Sequence, residues 1–161
     1  MFRLNRLTDY AVVVMTQLAT RGDQTTLSAQ QLSRDTAVPL PTVSKVLTLL
    51  AKGGLITSHR GASGGYALTR PAVDISVAAI IEAIEGPIAL TACVDGSADS
   101  CGVESLCPMR GTWDRVNHAI QSALDEVTLQ EMTASFFDFP AVSPVSAPLT
   151  SSAGKSSGRA D

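Results

Sequence analysis

Apolar positions in the first third of the chain repeat at helical spacing. Within residues 8–20, Val12, Met15, Leu18 and Ala19, with Val14 beside them, line one face of a helix that Gly22 ends. Ser28 followed three residues later by Gln31 is a capping-box pattern, which predicts a short helix reaching about residue 36. A turn over residues 37–40 follows, and Pro41 suits the first turn of the next helix, where no amide donor is needed. Val43, Val46, Leu47 and Leu50 then stand at i, i+3, i+4 and i+7, so one face is buried. The opposite face offers Thr42, Ser44, Lys45, Thr48 and Lys52 before Gly53 and Gly54 stop the helix. Residues 55–60 and 66–69 read as short strands joined by Gly61-Ala62-Ser63-Gly64-Gly65, a glycine-rich hairpin tip able to approach another backbone closely.

That order of helix, short helix, turn, helix and hairpin predicts a winged helix-turn-helix in an α+β, mostly α chain. Ser76 caps a further helix over residues 77–85, stopped by Gly86 and Pro87. Residues 91–110 hold all three cysteines and show no usable periodicity, so an irregular loop is expected that needs something to order it. A long helix over residues 112–127 carries Trp113, Val116, Ile120, Ala123 or Leu124, and Val127 at near 3.5-residue spacing. This is the seam of a coiled-coil pair and marks a C-terminal dimerisation helix. Thr128 and Glu131 form a second capping box. From residue 138 onward Pro, Ser, Ala and Gly dominate, which predicts a disordered tail. The expected organisation is a DNA-binding domain at 1–75, a cysteine loop with dimerisation helix at 76–137, and a tail at 138–161.

Composition narrows this picture. With 45% hydrophobic and 17% charged residues in 161, a disordered chain is excluded, and no apolar run approaches the roughly 20 residues a bilayer span needs. Three cysteines and a start that makes a poor signal peptide point to a reducing cytoplasm, with free thiols or metal ligands. The formal charge of −3 argues against a nucleic-acid partner only as an average. Residues 1–70 carry eight Lys/Arg against three Asp/Glu, a net of +5, and residues 71–161 carry four against twelve, a net of −8. This split predicts a basic, polyanion-binding module joined to an acidic remainder.

The second helix of a helix-turn-helix enters the major groove of double-stranded DNA, where small polar side chains and lysine reach base edges. The candidates are Thr42, Ser44, Lys45 and Thr48. On the wing, Arg60 and Ser63 stand among glycines beside His59, and an arginine on a slim loop suits the negative minor groove. Arg3, Arg6, Arg34 and Lys52 are candidate phosphate contacts, which add affinity without sequence information. Each could also be an ordinary solvated side chain. Two histidines, no Ser–His–acid arrangement and no phosphate loop leave little machinery for an enzyme or a small-molecule substrate.

The cysteines stand as Cys93-x7-Cys101-x5-Cys107, wider than the short pairs of structural zinc sites and closer to thiolates holding a larger cluster. Buried or redox-active thiols remain the plain alternative. A fourth ligand is not evident: Asp99 and Glu104 lie in the loop, His118 on the long helix, and Asp9 on the first helix, where a carboxylate also complements the helix dipole.

Leu7-Thr8-Asp9-Tyr10-Ala11, Gly53-Gly54-Leu55-Ile56, Arg60-Gly61-Ala62-Ser63-Gly64-Gly65-Tyr66 and the cysteine trio followed by Trp113 resemble the iron–sulfur-sensing winged-helix repressors of the IscR and NsrR type. The resemblance spans residues 1–135 and is greatest to regulators of the SUF cluster-assembly operon. It implies a homodimer on a partly palindromic operator, with one iron–sulfur cluster, 2Fe-2S or 4Fe-4S, per subunit. It implies Cys93, Cys101 and Cys107 as ligands. Arg110 stands where the IscR branch has its histidine ligand, whereas Thr8-Asp9 matches the NsrR branch, so Asp9 reaching across the dimer is the expected fourth ligand. Two alternatives stand beside a cluster-sensing repressor: a nitric-oxide sensor, and a zinc- or disulfide-stabilised DNA-binding protein that senses nothing.

Overall fold

The computed structural model describes residues 4–22, 25–61, 64–91, 94 and 110–137, and Arg3, Ser63, Cys93, Asp99, Cys101, Glu104, Cys107 and the tail lie outside them. Helix α1 (Arg6–Thr20) starts two residues before the apolar pattern does, because Asn5 caps it by accepting a hydrogen bond from the Leu7 amide at 3.0 Å. It buries Thr8, Ala11, Val14, Met15, Thr16 and Leu18, leaving Val12 on the edge of the stripe. Helix α2 (Ala29–Thr36) has the capping box in full: the Gln31 amide donates to Ser28 Oγ at 3.2 Å, and the Ser28 amide to Gln31 Oε1 at 2.8 Å.

Between α2 and α3 (Leu40–Lys52) the chain turns at Ala37, a left-handed residue with φ of 58°. Val43, Val46, Leu47 and Leu50 are buried, as their spacing predicts. Gly53 caps α3 against α4 (Val77–Glu85). A Cβ on Gly53 would lie 2.6 Å from the Ala83 Cβ, so only glycine allows this approach.

Strands β1 (Ile56–His59) and β2 (Gly65–Leu68) pair antiparallel, with Ile56 opposite Leu68 and His59 opposite Gly65. The first strand is shorter than the expected 55–60, and the second keeps its expected four residues but begins one earlier. Leu27 lies along β2 as a third rung, its amide donating to the Tyr66 carbonyl at 3.0 Å and its carbonyl accepting at 2.8 Å. This contact seats the wing on the turn before α2.

A 3₁₀ turn (Ala72–Asp74) leads into α4, and α5 (Arg110–Glu126) and α6 (Leu129–Phe137) follow. Met15, Leu18, Leu32, Leu47, Leu50, Ile75, Ile80 and Leu129 are almost wholly buried in one cluster. Each contributes about 1.5–3 kcal/mol. The core therefore draws residues from both sides of position 75. The Leu129 amide donates to the Ile75 carbonyl at 2.8 Å, anchoring α6 there. At the start of α6, Thr128 and Glu131 cap each other, and the Thr128 backbone and hydroxyl donors hold the Glu131 carboxyl below its ordinary range.

Helix α5 faces two ways. Leu124 packs with Ala78, Ile81 and Ile88, so it belongs to the α4 contact, and Ala123 is left on the outer seam. Trp113, Val116 and Val127 are each more than a third exposed. No helix among the described residues is long and apolar enough to cross a membrane.

Candidate nucleic-acid interface and sensor stem

The outer face of α3 presents Leu40, Ser44, Lys45, Thr48 and Lys52 to solvent. Thr42 departs from the expectation of full exposure. One turn before the buried Val46, it sits on the flank of the packed face and is half-covered. The Thr48 hydroxyl donates to the Ser44 carbonyl at 2.9 Å, so its proton is spent within the helix and its methyl and oxygen lone pair remain for a partner. No residue of α3 is acidic, so nothing on this face repels phosphate.

At the wing, Thr57, Ser58, His59 and Arg60 are exposed. The tip needs glycine: Gly61 has φ of 120°, and the Gly64 amide donates to the Gly61 carbonyl at 2.9 Å. A Cβ on Gly64 would stand 2.5 Å from the His59 carbonyl oxygen, and one on Gly65 would stand 2.7 Å from the Leu27 carbonyl. Arg21 and Asp35 form the one ion pair among the described residues, at 3.1 Å. Arg6, Arg34, Lys45, Lys52, Arg60 and Arg70 have no such partner there, so their charge is uncompensated. The basic excess of the first 70 residues is thus available to a polyanion.

The three cysteines lie beyond the described residues, but the stem that leads to them is held at two points. The buried Asn117 of α5 donates from Nδ2 to the Ile88 carbonyl at 2.9 Å and accepts the Leu90 amide on Oδ1 at 3.0 Å. Glu85, the last residue of α4, accepts the Asn5 amide at 2.9 Å and the buried Thr8 hydroxyl on the same oxygen. The end of α4 is thereby joined to the start of α1. Neither Asn117 nor Glu85 belongs to a recognisable motif, and sequence reasoning missed both. Asp9, next to Thr8, is exposed with a carboxylate free of partners among the described residues. His118 is exposed on α5.

By the chemistry of the residue types alone, three cysteines and a carboxylate that no described neighbour claims are donors of the kind an iron–sulfur cluster takes. Glu85 differs from Asp9 in having one carboxylate oxygen engaged by two donors.

A family model described as "Rrf2: Iron-dependent Transcriptional regulator" matches residues 4–135. The HTH-type transcriptional regulator IscR of Vibrio atlanticus is 31% identical over 123 residues, covering 76% of this chain and 70% of its own length. The solved structure of T. potens IscR superposes with a TM-score of 0.62 at 26% identity, covering 84% of this chain and 88% of that one. CymR, the global cysteine regulator of B. subtilis, has a TM-score of 0.65 at 24% identity, over 84% of this chain and 98% of its own, and shares the fold.

Proposed function

The chain belongs to the Rrf2 family of DNA-binding, winged-helix transcriptional regulators, which are not enzymes, and from that premise we propose that it represses iron–sulfur cluster assembly (SUF) genes according to a cluster of its own. Cys93, Cys101 and Cys107 would hold the cluster, one per subunit of a homodimer, with Asp9 of the partner subunit as fourth ligand. When bound, such a cluster supplies an oxygen- and iron-responsive centre whose loss or change is the signal. A hard carboxylate beside soft thiolates makes a labile set, which suits a sensor.

The observation that carries this reading is the stem. Asn117 ties residues 88–90 to α5, which bears the exposed apolar residues Trp113, Val116 and Ala123 of the proposed dimer seam, with Val127 just past its end. Glu85 ties the same stem to the first turn of α1, one residue from Asp9. A change at the cysteines therefore acts on the two elements that would set the spacing of two α3 helices on an operator. DNA contact is assigned to Ser44, Lys45 and Thr48 on α3, with Thr42 at its flank, and to Arg60 and Ser63 on the wing. Coupling of this kind is typically worth 1–3 kcal/mol, a 5- to 150-fold change in operator affinity.

The test is anaerobic purification with an absorbance spectrum, followed by footprinting of the cluster-loaded and cluster-free forms. The expected result is a visible thiolate-to-iron spectrum, with one form protecting a discrete site upstream of assembly genes. Protein that stays colourless after reconstitution would overturn the sensing step in favour of a zinc or disulfide role. Protection by neither form would overturn repression. Asp9→Ala is expected to alter the spectrum or speed cluster loss, and an unchanged spectrum and lifetime would remove Asp9 from the ligand set.

A further inference from the structure

On α3 one exposed residue is neither polar nor charged. Leu40, the first residue of the helix, is 39% exposed, the only large apolar side chain above a third exposed on the described part of the helix-turn-helix. Its neighbours in sequence, Pro39 and Pro41, hold the backbone and carry no amide hydrogen. Leu40, Ser44 and Thr48 follow one another at i, i+4 and i+8, a single row along the outer face. In that row the Thr48 hydroxyl donates to the Ser44 carbonyl, and both Thr48 and Leu40 are exposed. Lys45 and Lys52 flank the row. At the start of this row the Leu40 side chain has no group to offer a hydrogen-bonding base edge and can make only an apolar contact. Among the four bases only thymine shows a methyl group in the major groove.

We propose that Leu40 reads the C5-methyl of a thymine, giving the operator a fixed A·T pair where the N-terminus of α3 enters the groove. The N-terminal residues of a recognition helix are the ones that reach base edges first. The inference rests on the DNA-binding reading above and adds the base class that one residue selects. Leaving Leu40 exposed in free protein sets aside burial that a thymine methyl completes.

The test begins with in vitro selection of duplex DNA by the full-length protein, then replaces each thymine of the enriched site in turn by deoxyuridine. Uracil keeps every hydrogen bond and lacks only the methyl. At one thymine per half-site the replacement is expected to weaken binding about fourfold, the worth of one buried methyl group. Leu40→Ala, an exposed substitution that leaves the core intact, is expected to lose a similar factor on the thymine site and to be indifferent to uracil there. Enrichment of a site at which no uracil matters, or at which Leu40→Ala still feels it, overturns the assignment and leaves DNA binding standing. Selection that enriches no sequence overturns both.

Discussion

Replacing Asn117 removes a buried side chain that satisfies two backbone groups at once. In Asn117→Leu, a near-isosteric change, the Ile88 carbonyl and the Leu90 amide both lose their partner inside a site where Asn117 is 6% exposed. An orphaned buried group costs about 1–3 kcal/mol, and the added apolar contact returns part of that, so a net loss of about 2–4 kcal/mol is expected. For a fold of this size that lowers Tm by on the order of 10 °C. Urea unfolding should show a lower midpoint with an unchanged slope, and hydrogen exchange at the Leu90 amide should speed up more than exchange in α3. Asn117→Asp separates the two bonds. Its carboxylate still accepts from Leu90 but meets the Ile88 carbonyl without a proton between them, and burial raises its pKa. An acid whose folded pKa is raised favours folding when protonated, so this variant should recover toward wild type as pH falls, while Asn117→Leu should not. A Tm within 2 °C of wild type with unchanged Leu90 exchange would refute the idea that Asn117 holds the stem.

Three other outcomes follow from single residues. Gly53→Ala places a Cβ 2.6 Å from the Ala83 Cβ, so α3 and α4 must part; a loss of about 1–3 kcal/mol by chemical denaturation is expected, partly restored by adding Ala83→Gly. Ala37 holds a left-handed φ of 58° at the helix-turn-helix bend; Ala37→Gly should melt at or slightly above wild type, whereas Ala37→Val should melt clearly below it. Glu131 has its carboxyl pulled below the ordinary value near 4.5 by the Thr128 donors, so it stabilises α6 above that pH and loses this effect as acid titrates the folded carboxylate; wild type and Glu131→Ala should differ in Tm at pH 7, and the difference should shrink as pH falls through the lowered pKa of the folded carboxyl.

The parts of this fold that local chemistry dictates were legible in the residues. Ser28 with Gln31 and Thr128 with Glu131 announce helix starts because each pair satisfies its own orphan donors, independent of what packs nearby. The buried set Val43, Val46, Leu47 and Leu50 was equally plain, since helical spacing alone sorts them. Legibility failed where a residue answers to a distant partner. Thr8 looks like a polar lead-in to α1, yet it is buried because Glu85, 77 positions later, receives its hydroxyl. Asn117 has no pattern to betray it, since its two partners lie 27 and 29 residues away. Ala123 and Leu124 could not be separated as seam residues because α5 has two apolar faces, and only contact with α4 shows which one Leu124 serves.

Helix α4 is where these distant contacts converge. It is nine residues long, about 14 Å. Its capping Ser76 donates to Asp125 of α5 at 2.9 Å, and Ala83 sits against Gly53 at the end of α3. Its last residue, Glu85, grips the start of α1, and the stem to the cysteines leaves directly after it. Ile80 and Ile81 root the helix in two separate apolar clusters, so it cannot bend without opening one of them. On the proposed reading, a pull on the stem would therefore move this helix as one piece. At Gly53 that displacement has little slack, since backbone meets the Ala83 methyl with no intervening side chain to re-rotamer. A side chain of ordinary size at position 53 would have absorbed small shifts by changing its own angles. The glycine that looked in the sequence like a mere helix stop is thus the closest approach of α3 to Ala83 of α4, where movement of α4 in the proposed sensing step would press directly on α3.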